Sequence, residues 1–98
     1  MQKADPPGSI SFNLGQIVAT PGALNALATV NMMPETLLRR HQQGDWGDVS
    51  APDAESNELA LRQGSRLLSS YRLSSAVKVW VITEADRSVT TLLLPSEY

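Results

Sequence analysis

Apolar residues recur at helical spacing through the first two thirds of the chain, and capping signals divide them into three segments. The pattern predicts helices at about 21–30, 34–43 and 51–63. Each has a proline in its first turn, and Thr20 and Ser50 fit as N-cap residues of the first and third helices. The predicted helices end at Asn31, Gly44 and Gly64, and glycine is favoured just past a helix.

The last third of the chain changes to strand-like runs rich in Val, Ile, Leu, Thr and aromatic residues. These runs, RLLSSYRL, AVKVWVIT and VTTLLLP, are separated by short polar segments too short for a parallel crossover. We predict an antiparallel meander of three strands, with Ile10 to Leu14 as a candidate fourth strand. The middle run is apolar on both faces, so we expect a central strand covered on both sides, with Trp80 in the core.

Together these elements predict an α+β fold, in which N-terminal helices pack on a C-terminal antiparallel sheet of three to four strands. A chain of 98 residues is long enough for one hydrophobic core and too short for two. We therefore expect a single domain at 10–98. The polar stretch at 1–9 contains two prolines and is expected to form a flexible arm.

Charge and composition exclude several classes of function. A net charge of −2 provides no global attraction for a polyanion, so nucleic-acid binding is possible but unsupported, and there is no polybasic membrane patch. The absence of cysteine removes disulfides and thiolate chemistry. No apolar run is long enough to span a bilayer. We expect a cytoplasmic protein that carries no cofactor, and its oligomeric state stays open.

The first cluster of candidate site residues is RHQQGDWGD, at 40–48. His41 lies one helical turn after Leu37 and shares its face, so it is directed toward the domain body. The helix C-terminus, together with Asp45 and Asp48, favours a protonated imidazole that could act as a general acid. Alternatively, His41 only caps the helix. Trp46 lies between turn glycines and is expected to be partly exposed.

A second cluster lies in the polar hairpin and the strand that leaves it, at 82–95. It contains Glu84, Asp86, Arg87, Ser88 and Thr90. The guanidinium and the alternating hydroxyls could converge on an anion. The same residue types are also ordinary turn and edge-strand chemistry, so a purely structural role stays open.

A metal site is not predicted. The candidate ligands would be His41, Asp45, Asp48 and Asp53, but their spacing matches no established metal-binding motif.

The chain resembles a family of small bacterial proteins encoded on plasmids, prophages and other mobile elements, often labelled plasmid-related. The resemblance covers Phe12 to Tyr98 and is carried by RHQQGDWGD and by VWVITEADRSVTTLLLPSEY. It implies no established activity. It does place several of the candidate residues within the characteristic motifs of that family: His41, Asp45, Trp46, Asp48, Glu84, Asp86, Arg87 and Thr91.

Three functional hypotheses follow. In the first, the protein binds a protein partner, such as a host defence or regulatory factor, through an acidic and aromatic surface; its residues would be Asp45, Trp46, Asp48, Asp53 and Glu55, with Arg87 as a further binding residue.

In the second hypothesis the chain is a metal-independent ribonuclease, by analogy of fold with the barnase and RelE-like toxins. His41 would be the general acid, Glu84 or Asp86 the base and Arg87 the phosphate clamp, with Ser88 and Thr90 as hydrogen-bond donors.

In the third hypothesis the polar residues form a buried structural network that joins the hairpin to the helices. This network can coexist with protein binding. We further predict that the GDWGD turn folds against the EADRS hairpin, so that Arg87 bonds Asp45 or Asp48 and His41 faces the same cluster.

Overall fold

The computed structural model describes residues 12–98. The predicted arm at 1–9, and the first two residues of the predicted strand at 10–14, lie outside this part of the chain. The elements, in chain order, are β1 Gln16–Ala19, α1 Pro21–Thr29, α2 Pro34–Gln42, α3 Ala51–Gln63, β2 Leu67–Arg72, β3 Lys78–Thr83, β4 Val89–Leu93 and a short 3₁₀ turn, Pro95–Glu97. The predicted α+β class, with helices preceding the main sheet, is confirmed.

The helices begin and end where the capping signals place them. The Thr20 hydroxyl accepts the N–H of Ala23 at 3.1 Å, and the Ser50 hydroxyl accepts the N–H of Asp53 at 3.2 Å. These bonds satisfy N–H groups that have no partner within the first turn of a helix. At the other ends, Asn31, Gly44 and Gly64 adopt positive φ angles of 56°, 82° and 73°.

The sheet has the strand order β1-β4-β3-β2 and is mixed. The predicted meander is confirmed, since β2, β3 and β4 pair antiparallel. The fourth strand was predicted wrongly: it lies at Gln16–Ala19 and pairs parallel with β4. The three helices and two other strands intervene before β4, so no short link constrains the pairing direction. Gly15, at φ 67°, lets the chain approach the Ser88 backbone more closely than a Cβ would allow.

All three helices pack on one side of the sheet. The strand residues on this helix-facing side alternate in register and are essentially inaccessible to solvent: Leu67, Ser69, Tyr71, Val79, Val81, Thr83, Thr90 and Leu92. They form the core with Ala23 and Leu27 of α1 and with Leu37 and Leu38 of α2. A smaller cluster joins Trp46 and Ala60 to Leu67.

The opposite side of the sheet carries no helix among residues 12–98. We call this side the open face, and its residues in β2, β3 and β4 are Leu68, Ser70, Arg72, Lys78, Trp80, Ile82, Val89, Thr91 and Leu93. Within the described residues, the expected second layer over β3 is not found. Ile82 and Leu93 of this face are nevertheless only 4% and 6% exposed.

The two tryptophans exchange the environments predicted for them. Trp80 lies on the open face and is partly exposed, whereas Trp46 is only 6% exposed. Trp46 is held where the GDWGD turn pairs with the outer edge of β2: Ser70 donates its N–H to the Trp46 carbonyl at 3.0 Å, and its carbonyl accepts the N–H of Asp48 at 2.6 Å. The turn thus continues the sheet, which brings its tryptophan into the core.

Asn57 of α3 binds the same edge at Leu68. Its side-chain amide donates to the Leu68 carbonyl at 2.7 Å and accepts the Leu68 N–H at 3.0 Å. The side chain thereby replaces the backbone of a missing neighbouring strand. At Leu68 and Ser70, the edge therefore has no free backbone groups with which to recruit another strand.

Candidate functional site

His41 lies at the centre of a chain of buried hydrogen bonds. Its Nδ1 lies 2.5 Å from the Ser69 hydroxyl and its Nε2 lies 2.9 Å from the Thr83 hydroxyl. The Thr83 hydroxyl lies 2.7 Å from that of Thr90, which donates to the Leu14 carbonyl at 2.7 Å. Side chains from α2, β2, β3 and β4 are thus joined to the backbone that precedes β1.

The Leu14 carbonyl fixes the direction of the bonds from Thr90 back to His41. A carbonyl only accepts, so the single proton of the Thr90 hydroxyl is used there, and Thr90 must accept the proton of Thr83. Thr83 must in turn accept from Nε2–H of His41. Nε2 therefore carries a proton, and in the neutral ring Nδ1 accepts from Ser69.

The surroundings of His41 disfavour its charged form. The residue is 0% exposed, and the edges of Phe12 and Trp46 contact its ring at centroid distances of 5.3 and 5.7 Å. Burial, and secondarily the positive charge of Arg87, lower the pKa of His41 to about 4. The inward orientation predicted for His41 is confirmed, but the prediction of a favoured protonated imidazole is wrong. Loss of hydration outweighs the helix dipole and the nearby carboxylates.

Arg87 binds backbone carbonyls rather than a carboxylate. Its Nη1 donates to the carbonyls of Ser65 at 2.6 Å and Glu84 at 3.2 Å, and its Nη2 donates to that of Ala60 at 3.2 Å. The Ala60 carbonyl lies in the last turn of α3 and also accepts the N–H groups of Gly64 and Ser65, at 2.8 and 3.1 Å. Arg87, which adopts a φ of 61°, therefore ties the β3–β4 hairpin to the end of α3.

The predicted bond from Arg87 to Asp45 or Asp48 is wrong, because each carboxylate has another arginine nearer to it. Arg40 Nε lies 2.7 Å from Asp45, and Arg72 Nε lies 3.0 Å from Asp48. The hydrogen bond from Arg40 lowers the pKa of Asp45. Both pairs are about half exposed, so their contribution to stability is small.

The remaining hairpin residues do not converge on one volume. Asp86 accepts both the N–H and the hydroxyl of Ser88, at 3.0 and 2.6 Å, and these bonds lower the pKa of Asp86. Thr90 is buried in the His41 network, while the side chain of Glu84 is exposed. The predicted anion-binding combination of Arg87, Ser88 and Thr90 is therefore not formed.

Trp46 and Asp53 also differ from the acidic and aromatic surface that was predicted. The indole Nε1 of Trp46 donates to Glu58 at 3.0 Å, and its ring lies in the core against His41. Asp53 is exposed in the first turn of α3. The residues of this surface thus have separate local roles.

Sequence reasoning missed Ser69 and Thr83, the direct partners of His41. A signal was available, because polar residues at 69, 83 and 90 fall in the strand positions that otherwise carry buried apolar side chains. Buried polar groups need partners, and the neutral ring of the single histidine can accept at one nitrogen while it donates at the other.

A second feature missed from the sequence is the open face, where aromatic and basic side chains meet. Trp80 contacts Tyr98 edge to face, with ring centroids 5.8 Å apart. Arg66 donates to the Tyr98 hydroxyl at 2.6 Å and its guanidinium lies 5.7 Å from that ring. Tyr98 is 68% exposed. The alternation of Lys78, Trp80 and Ile82 was the available signal.

At one end of the open face a depression of about 360 Å³ lies between the β2–β3 hairpin and the 3₁₀ turn. Arg72 and Lys78 line it, opposite each other in register, with Val77, Pro95 and Ser96 nearby. Within the part of the chain that the structure describes, no group of three or more potential metal ligands is found. None of the helices at 12–98 is long and apolar enough to cross a membrane.

Comparison of the chain with protein-family models, with curated proteins and with solved structures finds no match.

Proposed function

We propose that this protein is a binding domain that recognises a protein partner through the open face of its sheet. The observation that carries the proposal is the cluster of Trp80, Tyr98 and Arg66 on a sheet face that no helix among residues 12–98 covers. Trp, Tyr and Arg are the residues most enriched among those that dominate binding energy at protein interfaces. Ile82 and Leu93 are buried apolar neighbours of Trp80 on the same face.

The open face supports protein binding better than the turn at 44–48 does. An aromatic anchor must be accessible, and Trp46 is buried whereas Trp80 and Tyr98 are not. The two carboxylates of the turn are already paired with Arg40 and Arg72, which reduces the net charge they present to a partner. The proposed binding surface is therefore basic and aromatic rather than acidic.

A ribonuclease is a weaker proposal, because its presumed catalytic groups do not reach a common substrate. A general acid must come within hydrogen-bond distance of the substrate, yet His41 is fully buried and both its nitrogens are engaged. The guanidinium of Arg87 donates its hydrogen bonds to backbone carbonyls at the end of α3 and in the hairpin. The geometry of these residues is that of structural contacts.

The cellular setting of this binding function is proposed from the sequence alone. The motif resemblance to plasmid- and prophage-encoded bacterial proteins supports a role against a host defence or regulatory factor. A cytoplasmic location is part of the same proposal.

Site-specific photo-crosslinking tests the proposal. The photoreactive amino acid p-benzoylphenylalanine is placed at Thr91, on the open face, in the chain expressed in bacteria. A matched control places it at Thr36, exposed on the outer side of α2. We expect a discrete crosslinked species only from position 91, and its loss when Trp80→Ala is added.

Each alternative outcome is informative. Discrete crosslinks from position 36 but not from position 91 would assign binding to the helical layer and contradict the proposal. An absence of discrete species from both positions would contradict protein binding by either surface in that host. Circular dichroism of the Trp80→Ala variant establishes that the sheet is retained.

A further inference from the structure

Two positive charges face each other at the hairpin end of the open face. Arg72 and Lys78 are directly paired in the β2–β3 register, and like charges in such cross-strand positions destabilise a sheet. Only Arg72 has an acidic partner, Asp48, and the contact uses its Nε. Among residues 12–98, Lys78 forms no salt bridge. The pair therefore carries an uncompensated charge that an anion could neutralise.

The surroundings of this pair have the shape and polarity of a binding site. The depression of about 360 Å³ is large enough for a side chain of a partner. Val77 and Pro95 offer apolar contacts to the stem of such a side chain, and Ser96 also lines the depression. A carboxylate on a short aliphatic stem matches this combination of charges and apolar walls.

Trp80 supplies a second anchor at a fixed distance. It follows Lys78 by two residues on the same face of β3, which corresponds to about 6.6 Å along a strand. Its cross-strand partner in β2 is the small Ser70, so the indole is not overlaid by a large side chain from that strand. An extended segment carrying an acidic residue and, two positions away, a large apolar residue would reach both anchors.

Charge favours an acidic protein segment over a nucleic acid as the occupant. Among residues 12–98, the cations of the open face are Arg66, Arg72 and Lys78, and Arg72 is already paired with Asp48. The chain as a whole carries a net charge of −2, which opposes a polyanion. A single carboxylate in the depression, by contrast, needs only the two nearby positive charges of Arg72 and Lys78 to bind.

We propose that the depression between Arg72 and Lys78 is an anion-binding site for an acidic side chain of the partner, an inference that rests on the proposed function. The recognised segment is extended and has the pattern acid, any residue, large apolar residue. Its carboxylate lies between the two cations, and its apolar side chain packs on Trp80.

The test uses a library of random twelve-residue peptides displayed on phage and selected on the whole chain. We expect the selected peptides to be enriched in Asp or Glu two positions from an aromatic or aliphatic residue. The best peptide and its acid-to-amide counterpart are then titrated calorimetrically against the wild type, Lys78→Met and Arg39→Met. Arg39 is an exposed arginine of α2, and its variant controls for the loss of one positive charge elsewhere.

We expect the acid-to-amide change to weaken binding to the wild type and to Arg39→Met at least tenfold, but binding to Lys78→Met less than threefold. Selected peptides without acidic enrichment, or equal losses with all three proteins, would overturn the anion site. Such a result would leave the proposed function intact if position 91 still crosslinks to a partner. Failure to select any binding peptide also counts against the inference.

A fluorescein-labelled single-stranded oligothymidine of fifteen nucleotides is titrated in parallel. Weak binding that is insensitive to Lys78→Met is expected. Tighter binding than that of any selected peptide, lost in Lys78→Met, would assign the cations to phosphates and overturn the acidic protein segment as the occupant.

Discussion

Acidification is expected to destabilise the fold through His41 before it affects the carboxylates. The pKa of His41 falls from its ordinary value of 6.5 to about 4 in the folded chain, because burial penalises the imidazolium. The unfolded chain therefore binds a proton more readily than the folded chain. The stabilisation is fully present above pH 6.5 and is lost progressively as the pH falls toward 4.

The loss of stability can be calculated from the change in the pKa of His41 on folding. A difference of one pH unit between the folded and unfolded pKa corresponds to about 1.4 kcal/mol, so protonation of His41 accounts for a loss of about 3 kcal/mol in the free energy of unfolding. No discount for solvent screening applies to a side chain that is 0% exposed. Asp45, Asp86 and Glu97 have lowered pKa values, so most of their contribution is lost at more acid pH than that of His41.

Urea denaturation followed by tryptophan fluorescence at pH 7.0, 6.0, 5.0 and 4.5 measures this dependence. The His41→Gln variant is the control: we expect it to be less stable at pH 7 but nearly independent of pH between 6.5 and 4.5. Since His41 is the only histidine, NMR of its imidazole reports the tautomer and the titration directly. A midpoint near 6.5 in the folded chain, or an Nδ1–H tautomer, would refute the reasoning.

Two further predictions concern the stability of the fold. Thr90→Val leaves the Leu14 carbonyl without its hydroxyl donor and should lower the free energy of unfolding by about 1–3 kcal/mol. Thr91→Val, on the open face, should change the free energy of unfolding by less than about 0.5 kcal/mol. Thermal denaturation of both variants measures the difference, and equal effects would contradict the network. Gly47→Ala should be more destabilising than Gly64→Ala. Both glycines have a positive φ, but only at Gly47 would a Cβ collide with a backbone carbonyl. A smaller loss of Tm for Gly47→Ala than for Gly64→Ala would show that the turn can move away from β2.

How much could be predicted from the sequence depended on how far apart along the chain the interacting residues lie. Helices α1 and α3 follow from side-chain caps within three residues of their starts, and α2 follows from its first-turn proline and from Gly44. The meander follows from short polar links. The partners of His41 lie 28 and 42 residues further along the chain. No local signal selects them over the nearer Asp45 and Asp48, so the orientation of His41 was predictable but its protonation was not.

The open face could not be predicted, because the sequence pattern of an apolar strand fits two different arrangements. An apolar face is expected both for a doubly covered central strand and for a single-sided sheet whose side chains shield one another. Only the positions of α1, α2 and α3 on the same side distinguish these cases. The direction of β1 was equally inaccessible, because its pairing with β4 depends on the path of the intervening chain.

The parallel pairing of β1 with β4 also determines the order in which this sheet can assemble. Gln16 faces Val89, and Thr20 meets Glu97 at a separation of 77 residues, so both contacts require closure of nearly the entire described chain. The meander needs only short loops, whose closure costs much less entropy. We therefore expect β1 to dock late in folding and to exchange its amide hydrogens sooner than β3, which is paired on both sides.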